Sequence, residues 1–502
     1  MKREFCCFAA FVLVALLAFF LACDGQEEGG DEKGAGDDDT TPGDDDISTD
    51  DDASDDDTGD DDATPTCDVK DYGAKGNGVT KDTIAIQAAI DDCAQRGGGI
   101  VTLPAGTYLS GSLKLKSRIT LRVEDGAILQ GTNTREDWTE DGLINALSVD
   151  DIVIEGGGII DGNGAYWWPR VVLGLWRPSR LIKVIDSRNV TVRRITLRMS
   201  PKWTLHLLAC DEVLIENVKI RNTVGGQFVS PNTDGIDLEA CRHVEVSGCD
   251  IETGDDCVVL KNGEDEWRRE SYDIDVHDCV LSGWANAFKI GTETERDFHD
   301  ITFRDSIVRA SVESNPGTRN ISAITIISDD GANVYDVTVE NIRILQTQAP
   351  FFIRLQKRLR GDLMEPGTIS NIVLRDIIVD DSLLTASIMG IPGYNIDAVT
   401  LENISITSSE GGRYWEKEIV PPEREDDYPD ATYFGKYPAY GIYARHVAGC
   451  LAYLGNVTIN TTQSDERPEI VYDDTHQVDQ MGLGTDVWIY DRTGDNEDCF
   501  GL

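Results

Sequence analysis

The chain has 502 residues, 91 of them acidic and 45 basic, for a formal net charge of −46. That length exceeds one small domain and suits one elongated repeat domain, expected to be a monomer. The negative excess excludes nucleic acid as a partner, and an anionic ligand would need a local basic site to overcome the field.

The N-terminus comes first. "MKREF" supplies positive charge, and "CCFAAFVLVALLAFFLAC" is an apolar run that ends in small residues before a cysteine. This pattern predicts a secretory signal of the bacterial lipoprotein type over residues 1–22, with Cys23 carrying the lipid anchor. "FLAC" resembles a lipobox, with Phe20 where Leu is usual. The expected location is the cell envelope, at the outer membrane or cell surface, with release as the alternative. No later segment is apolar enough to span a bilayer. Residues 23–66 hold 20 acids against one lysine, in repeated "DDD" blocks. Such a stretch cannot bury a core and is expected to be a disordered, self-repelling tether rather than a calcium site.

The domain expected over residues 67–502 opens on a helix. Asp82 is placed to cap it, Ile86, Ile90 and Cys93 fall on one face, and "RGGG" stops it. "IVTLPAGTY" then begins the strands. From about Leu113, short Val- and Ile-rich strands recur with Asn or Asp just before them, as in "RNVTV", "YDIDV", "YDVTV" and "SNIVL". The repeat length of roughly 23 to 36 residues lies in the range of solenoids. The expected fold is all-β, a single right-handed parallel β-helix, with the helix covering its first coil. Asn at one place per coil would build a hydrogen-bonded ladder, which accounts for the sequons at Asn189, Asn320, Asn403 and Asn456.

Within "NTDGIDLEACRHVEVSGCDIETGDDC", Asp234 and the pair Asp255–Asp256 are about one coil apart. Parallel strands stack at roughly 4.7–4.9 Å, so the coil would bring the three carboxylates together. Crowded like charges raise at least one pKa, giving a protonated acid beside an ionised one, as glycoside hydrolysis requires. An acidic loop or a divalent-cation site is the alternative from spacing alone.

"NTDG", then "GDDC", then a stretch ending "IG", resembles glycoside hydrolase family 28, the polygalacturonase and rhamnogalacturonase family. "VKDYGAKGNGVTKDTIAIQAAI", "IDGNGAYWW", "SPKWTLH" and "PAYGIYARHV" extend the resemblance over nearly the whole chain after Cys67. It implies hydrolysis of a pectic polysaccharide with inversion and without cofactor or metal. Asp255 would be the general acid, and Asp234 and Asp256 would hold the water, with Asn232 of "NTDG" at the site. Separation alone points the other way, because stacked coils sit nearer the short, retaining distance.

The chain departs from the family where polygalacturonases carry "GHG" and "RIK". Asn286 stands at the His position, and Thr325 and Ile327 stand at the Arg and Lys positions. Either the sugar there is neutral, such as rhamnose, or Lys289 of "AFKIG" supplies the charge, with Arg354, Lys357 and Arg358 of "FFIRLQKR" as further cations. His206 reads as a packed or ladder residue or as a catalyst, and Trp203, Trp167 and Trp168 as sugar-stacking or as packed residues. The resemblance implies a Cys257–Cys279 bridge. Cys67 with Cys93 would tie the chain start to the cap helix, and Cys210 with Cys241 would pair or stack. The insertion from Gly411 to Pro438 is placed to block one end of a groove. A calcium-dependent lyase on the same fold and a non-catalytic glycan-binding β-helix are the rival readings.

Overall fold

The computed structural model describes residues 64–223, 230–263, 266–312, 317–448, 451–475, 478–479 and 487–490. The expected signal segment, Cys23 and the tether up to residue 63 lie outside them. No helix among the described residues is long and apolar enough to cross a membrane.

The expected architecture is present: strand upon strand pairs in parallel into a right-handed β-helix. Arg180–Ile185, for example, pairs with Gly142–Leu147 before it and with Trp203–Leu208 after it. The face that matters for function continues through Ile236–Glu239, Val258–Lys261, Asn286–Ile290, Ser322–Ser328 and Ala349–Leu355. Alternation sends Ile182, Leu205, Leu207, Ile236, Leu238 and Leu260 inward, all fully buried. Each such side chain contributes roughly 1.5–3 kcal/mol on leaving water.

The Asn and Asp residues that precede the strands have a backbone function. Asp151, Asn189, Glu212, His243, Asp273, Asp300, Asp336 and Asn371 stack as one column with φ between 51° and 57°. Asn and Asp tolerate this left-handed corner better than other side chains. Amides link neighbours in such columns: Asn189 Nδ2 donates to Asp151 at 2.7 Å and Asn403 Nδ2 to Asp376 at 2.9 Å. Asn320 does not belong to the ladder; it is fully buried elsewhere.

The cap helix spans Thr83–Gln95 and buries Ile86, Ala89, Ile90 and Cys93. Asp82 stands at its N-cap, but its carboxylate turns away from the helix and accepts from the amides of Lys75 and Gly76. The Cys67–Cys93 disulfide ties the first strand to this helix. A second helix, Gly164–Val172, follows the "IDGNG" turn, and Trp167 and Trp168 are packed into the protein.

The expected Cys257–Cys279 bridge is absent, since both thiols are buried and unpaired. They occupy different corners of the coil. Cys257 opens a strand of the site face beside Thr253, whereas Cys279 precedes Val280, whose register partner is Asp250. Cys279 therefore stacks on Cys249 one coil earlier, and Cys241 stacks on Cys210 in the same way. These thiols are core ladders.

Candidate active site

Register builds the acid cluster. Ile236 pairs with Val258, and the Gly235 amide donates to the carbonyl of Asp256 at 2.9 Å. The stacked neighbours are thus Asp234 and Asp256, and Asp255 flanks them from the turn. One carboxylate oxygen from each of the three lies within 4.8 Å of the others. The glycine at the start of "GDDC" makes this approach possible: a Cβ on Gly254 would lie 2.2 Å from the Ser230 carbonyl.

The three acids differ in their partners. Asp256 is the most tightly held. Its Oδ1 accepts from the Asn286 amide at 2.8 Å and from Asn286 Nδ2 at 2.7 Å, and its Oδ2 accepts from Lys289 Nζ at 2.9 Å. Asn286 Oδ1 in turn accepts from Thr325. The net effect of Lys289 and Asn286 is to hold Asp256 below the usual carboxylate range, against the opposing effect of burial. Asp234 is raised by burial, partly offset by Lys261 3.5 Å away, and its buried Oδ1 has no hydrogen-bond partner. Asp255 has no lysine in contact. Burial first, then the charges of Asp234 and Asp256, push it well above the usual range. Among the described residues it accepts only the amides of Asn232 at 3.2 Å and of Asp256 at 3.0 Å. The arrangement can hold one proton on Asp255 while Asp256 is ionised.

Several residues singled out in the sequence have other functions. Asn286 and Lys289 are buried and turned onto Asp256, so neither is free to meet a sugar carboxylate. Arg354 is also not a substrate contact: only 1% exposed, it donates to the carbonyls of Gly390 and Glu423 beneath the 411–438 segment. Arg358 pairs with Asp329 and Asp330, and Lys357 with Glu425. Asn232 does stand at the rim, exposed, with its Oδ1 accepting from Arg177 at 2.8 Å.

His206 is fully buried, accepts from Arg180 Nε and faces Glu239 at 2.9 Å. Burial and the neighbouring cations push its pKa down, leaving a neutral ring that donates to Glu239. Trp203 lies between Arg180 and Lys261, each 3.7 Å from its ring centre. Two cations that close compete with a sugar for the faces of the ring.

Lys261, Asp237 and Arg177 were not legible as site residues. Lys261 Nζ lies 2.9 Å from Asp237, an acid that burial raises to about 8, and so couples a fourth carboxylate to the cluster. Strand alternation from Val259 was the one available signal. Arg177 comes from a loop two coils away and has no motif.

Three differentiated carboxylates on the outer face of a coiled parallel solenoid suit a glycoside hydrolase, and that is the class in which the chain's relatives place it. The chain belongs to glycosyl hydrolases family 28, whose model matches residues 93–424. It is 27% identical over 370 residues to a probable polygalacturonase of Vitis vinifera, covering 67% of this chain and 73% of that one. It is likewise 27% identical to an exopolygalacturonase of Zea mays, with 64% and 77% covered. The family 28 exopolygalacturonase of Yersinia enterocolitica shares the fold with a TM-score of 0.62 at 19% identity, covering 84% and 79%.

The ion pair predicts a pH response. Lys289 lowers both Asp256 and Asp255, so Lys289→Met should raise both pKa values and move both limbs of the activity–pH profile upward. Initial rates across pH check this. An acid limb that stays in place would mean that Lys289 does not control the charge of Asp256.

Proposed function

We propose that this enzyme hydrolyses galacturonan with inversion. In this reading Asp255 protonates the leaving oxygen while Asp234 and Asp256 position the attacking water. The carrying observation is the asymmetry of cations: a lysine contacts each of Asp256 and Asp234, and none contacts Asp255. The hydrogen bonding of Asp256 supports a base over a covalent nucleophile. Its two oxygens have about four lone-pair sites, three of which already accept, leaving room for a water but little nucleophilicity. The unpartnered Oδ1 of Asp234 offers the second acceptor. A calcium-dependent lyase is disfavoured because Lys261 and Lys289 already bring positive charge to Asp234 and Asp256, which lowers the attraction of the cluster for a divalent ion. Rhamnogalacturonan is the alternative substrate.

Asp255→Asn should lower turnover by roughly 10²- to 10⁴-fold while leaving the circular dichroism and melting profile near wild type. Reducing-end release measures the loss, and NMR of the first-formed anomer reports inversion. Near-normal turnover, or an unsaturated product absorbing in the ultraviolet, would reject the assignment.

The segment from Gly411 to Pro438 supports action from a chain end. Its Ala431, Phe434 and Tyr437 cluster with the outward-facing Ile327, Phe352 and Tyr443, covering the groove C-terminal to the acids. Glu423, Arg424 and Glu425 fasten it to Arg354, Gln356 and Lys357. Tyr428 reaches back to a ring centre 5.9 Å from Lys289 Nζ. The maize relative and the Yersinia structure are both named exopolygalacturonases. One short product should accumulate from the first minutes with little loss of polymer viscosity. A fast viscosity drop with a ladder of oligomers would count against a closed groove.

Export and a lipid anchor at Cys23 complete the reading, on the strength of the "FLAC" pattern alone. Cys23→Ser should move the protein from the membrane fraction to the soluble fraction on ultracentrifugation. Unchanged membrane association would remove the anchor.

A further inference from the structure

The cations the family places on its substrate are absent here, and the substitutes suggested by the sequence are engaged elsewhere. Lys289 holds Asp256, Arg354 lies beneath the 411–438 segment, and Arg358 pairs with Asp329 and Asp330. Yet the opposite, N-terminal side of the acid cluster is basic. Arg177, Arg180 and Lys202 gather there in a chain of net charge −46, and although Asp237, Asp141 and Glu239 answer Arg180, the charges acting on Lys202 are Arg180, Arg177 and Lys261 against Asp234 alone, a setting that favours an anionic ligand.

Among the described residues none of the three contacts a carboxylate, and Lys202 and Arg177 are the two that frame the acids. Lys202 is half-buried and, among the described residues, makes no hydrogen bond or ion pair. Its Nζ lies 5.3 Å from the Trp203 ring centre. It immediately precedes the strand that stacks on "NTDG", where the Thr204 amide donates to the Asp234 carbonyl at 2.9 Å. Arg177 bolts the two loops together. It donates to the carbonyls of Pro201 at 2.9 Å and Pro231 at 2.7 Å, and to the Asn232 side chain. The residue before Lys202 and the rim residue beside the acids are thus held by one guanidinium. Burial and the neighbouring cations depress Lys202, and burial lowers Arg177 to about 10, so each would gain from a bound anion.

We propose that Lys202, held in place by Arg177, grips the carboxylate of the uronic acid bound on the N-terminal side of Asp234, in place of the basic residues that this chain lacks on the C-terminal side. The proposal rests on the galacturonan reading and specifies which residue selects the acid sugar. The ammonium would pair with the sugar carboxylate from above the Asp234–Asp256 stack. A methyl-esterified or neutral sugar would gain nothing from it.

The test compares Lys202→Met and Lys202→Arg with the wild type on polygalacturonate and on its methyl-esterified form. A charge-assisted contact is worth roughly a 10- to 100-fold preference. Lys202→Met should raise KM on polygalacturonate by that factor with kcat within about threefold, leave the esterified substrate unchanged, and be rescued by Lys202→Arg. Equal losses on both substrates, or no change on either, would overturn the assignment. Calorimetric titration of trigalacturonate into Asp255→Asn, with and without Lys202→Met, separates this proposal from the catalytic reading. Equal affinity in the two proteins overturns the Lys202 contact whatever the activity. Weakened affinity in a protein whose wild type cleaves no galacturonan retains the contact and rejects the catalytic reading.

Discussion

Coil-to-coil register is the constraint from which the rest of this molecule follows. Parallel strands fix neighbouring coils at roughly 4.7–4.9 Å, and the left-handed corner column keeps each coil from slipping against the next. With Ile236 held over Val258, Asp234 must lie over Asp256 whatever the electrostatics prefer. The fold imposes the repulsion, and the side chains must accommodate it. Lys261 and Lys289 do so from outward-facing positions on the next two strands of the same face. Both are buried and paired, and removing one partner of such a pair typically costs about 3–5 kcal/mol, because the other charge stays buried without compensation.

The division of labour among the acids then follows from distance to those lysines. Asp256 is pinned on both oxygens, Asp234 has a lysine on one oxygen and none on the other, and Asp255, out on the turn, has backbone amides alone. Three chemically identical side chains thus differ in their hold on a proton: Lys289 and Asn286 overcome burial at Asp256, Lys261 only partly offsets it at Asp234, and Asp255 is left to burial and like charge.

Much of this was legible in the sequence, for a physical reason. Motifs set by backbone conformation leave periodic marks. The Asn and Asp corners recur because few residues tolerate φ near +50°, the apolar alternation is inescapable in a buried coil, and "NTDG" and "GDDC" carry glycines where no Cβ fits. Pairing between side chains leaves no such mark. Lys289 and Arg354 both read as outward-facing cations, and both are, but what lies outside them differs. One meets an acid a coil earlier, and the other meets a segment that returns 69 residues later in the chain. The Cys257–Cys279 bridge failed for a related reason, whereas Cys67–Cys93 formed as expected. Residues one coil apart fall within disulfide reach, so spacing cannot separate a bridge from a stack, and Cys279 stacks on Cys249 instead of reaching Cys257 across the coil.

The covered end of the groove was present in the sequence as an anomaly of pattern. An outer strand of a solenoid should alternate, as Val334–Ile344 does. Ser322–Ser328 and Ala349–Leu355 do not; every residue in both is buried. "AITII" and "APFFI" are apolar on both faces, which in water is stable only if something lies over the outer one. The chain supplies that cover from the Gly411–Pro438 insertion, whose Phe434 packs on Phe352 and whose Tyr437 packs on Tyr443. The rest of the same face is where charge accumulates: Arg180 and Lys202 on one side of the acids, Lys261 and Lys289 among them, most of it buried and paired. One strip of the solenoid is thus divided into an apolar stretch that seats a loop and a charged stretch of ion pairs, and the three aspartates lie close to the boundary between them.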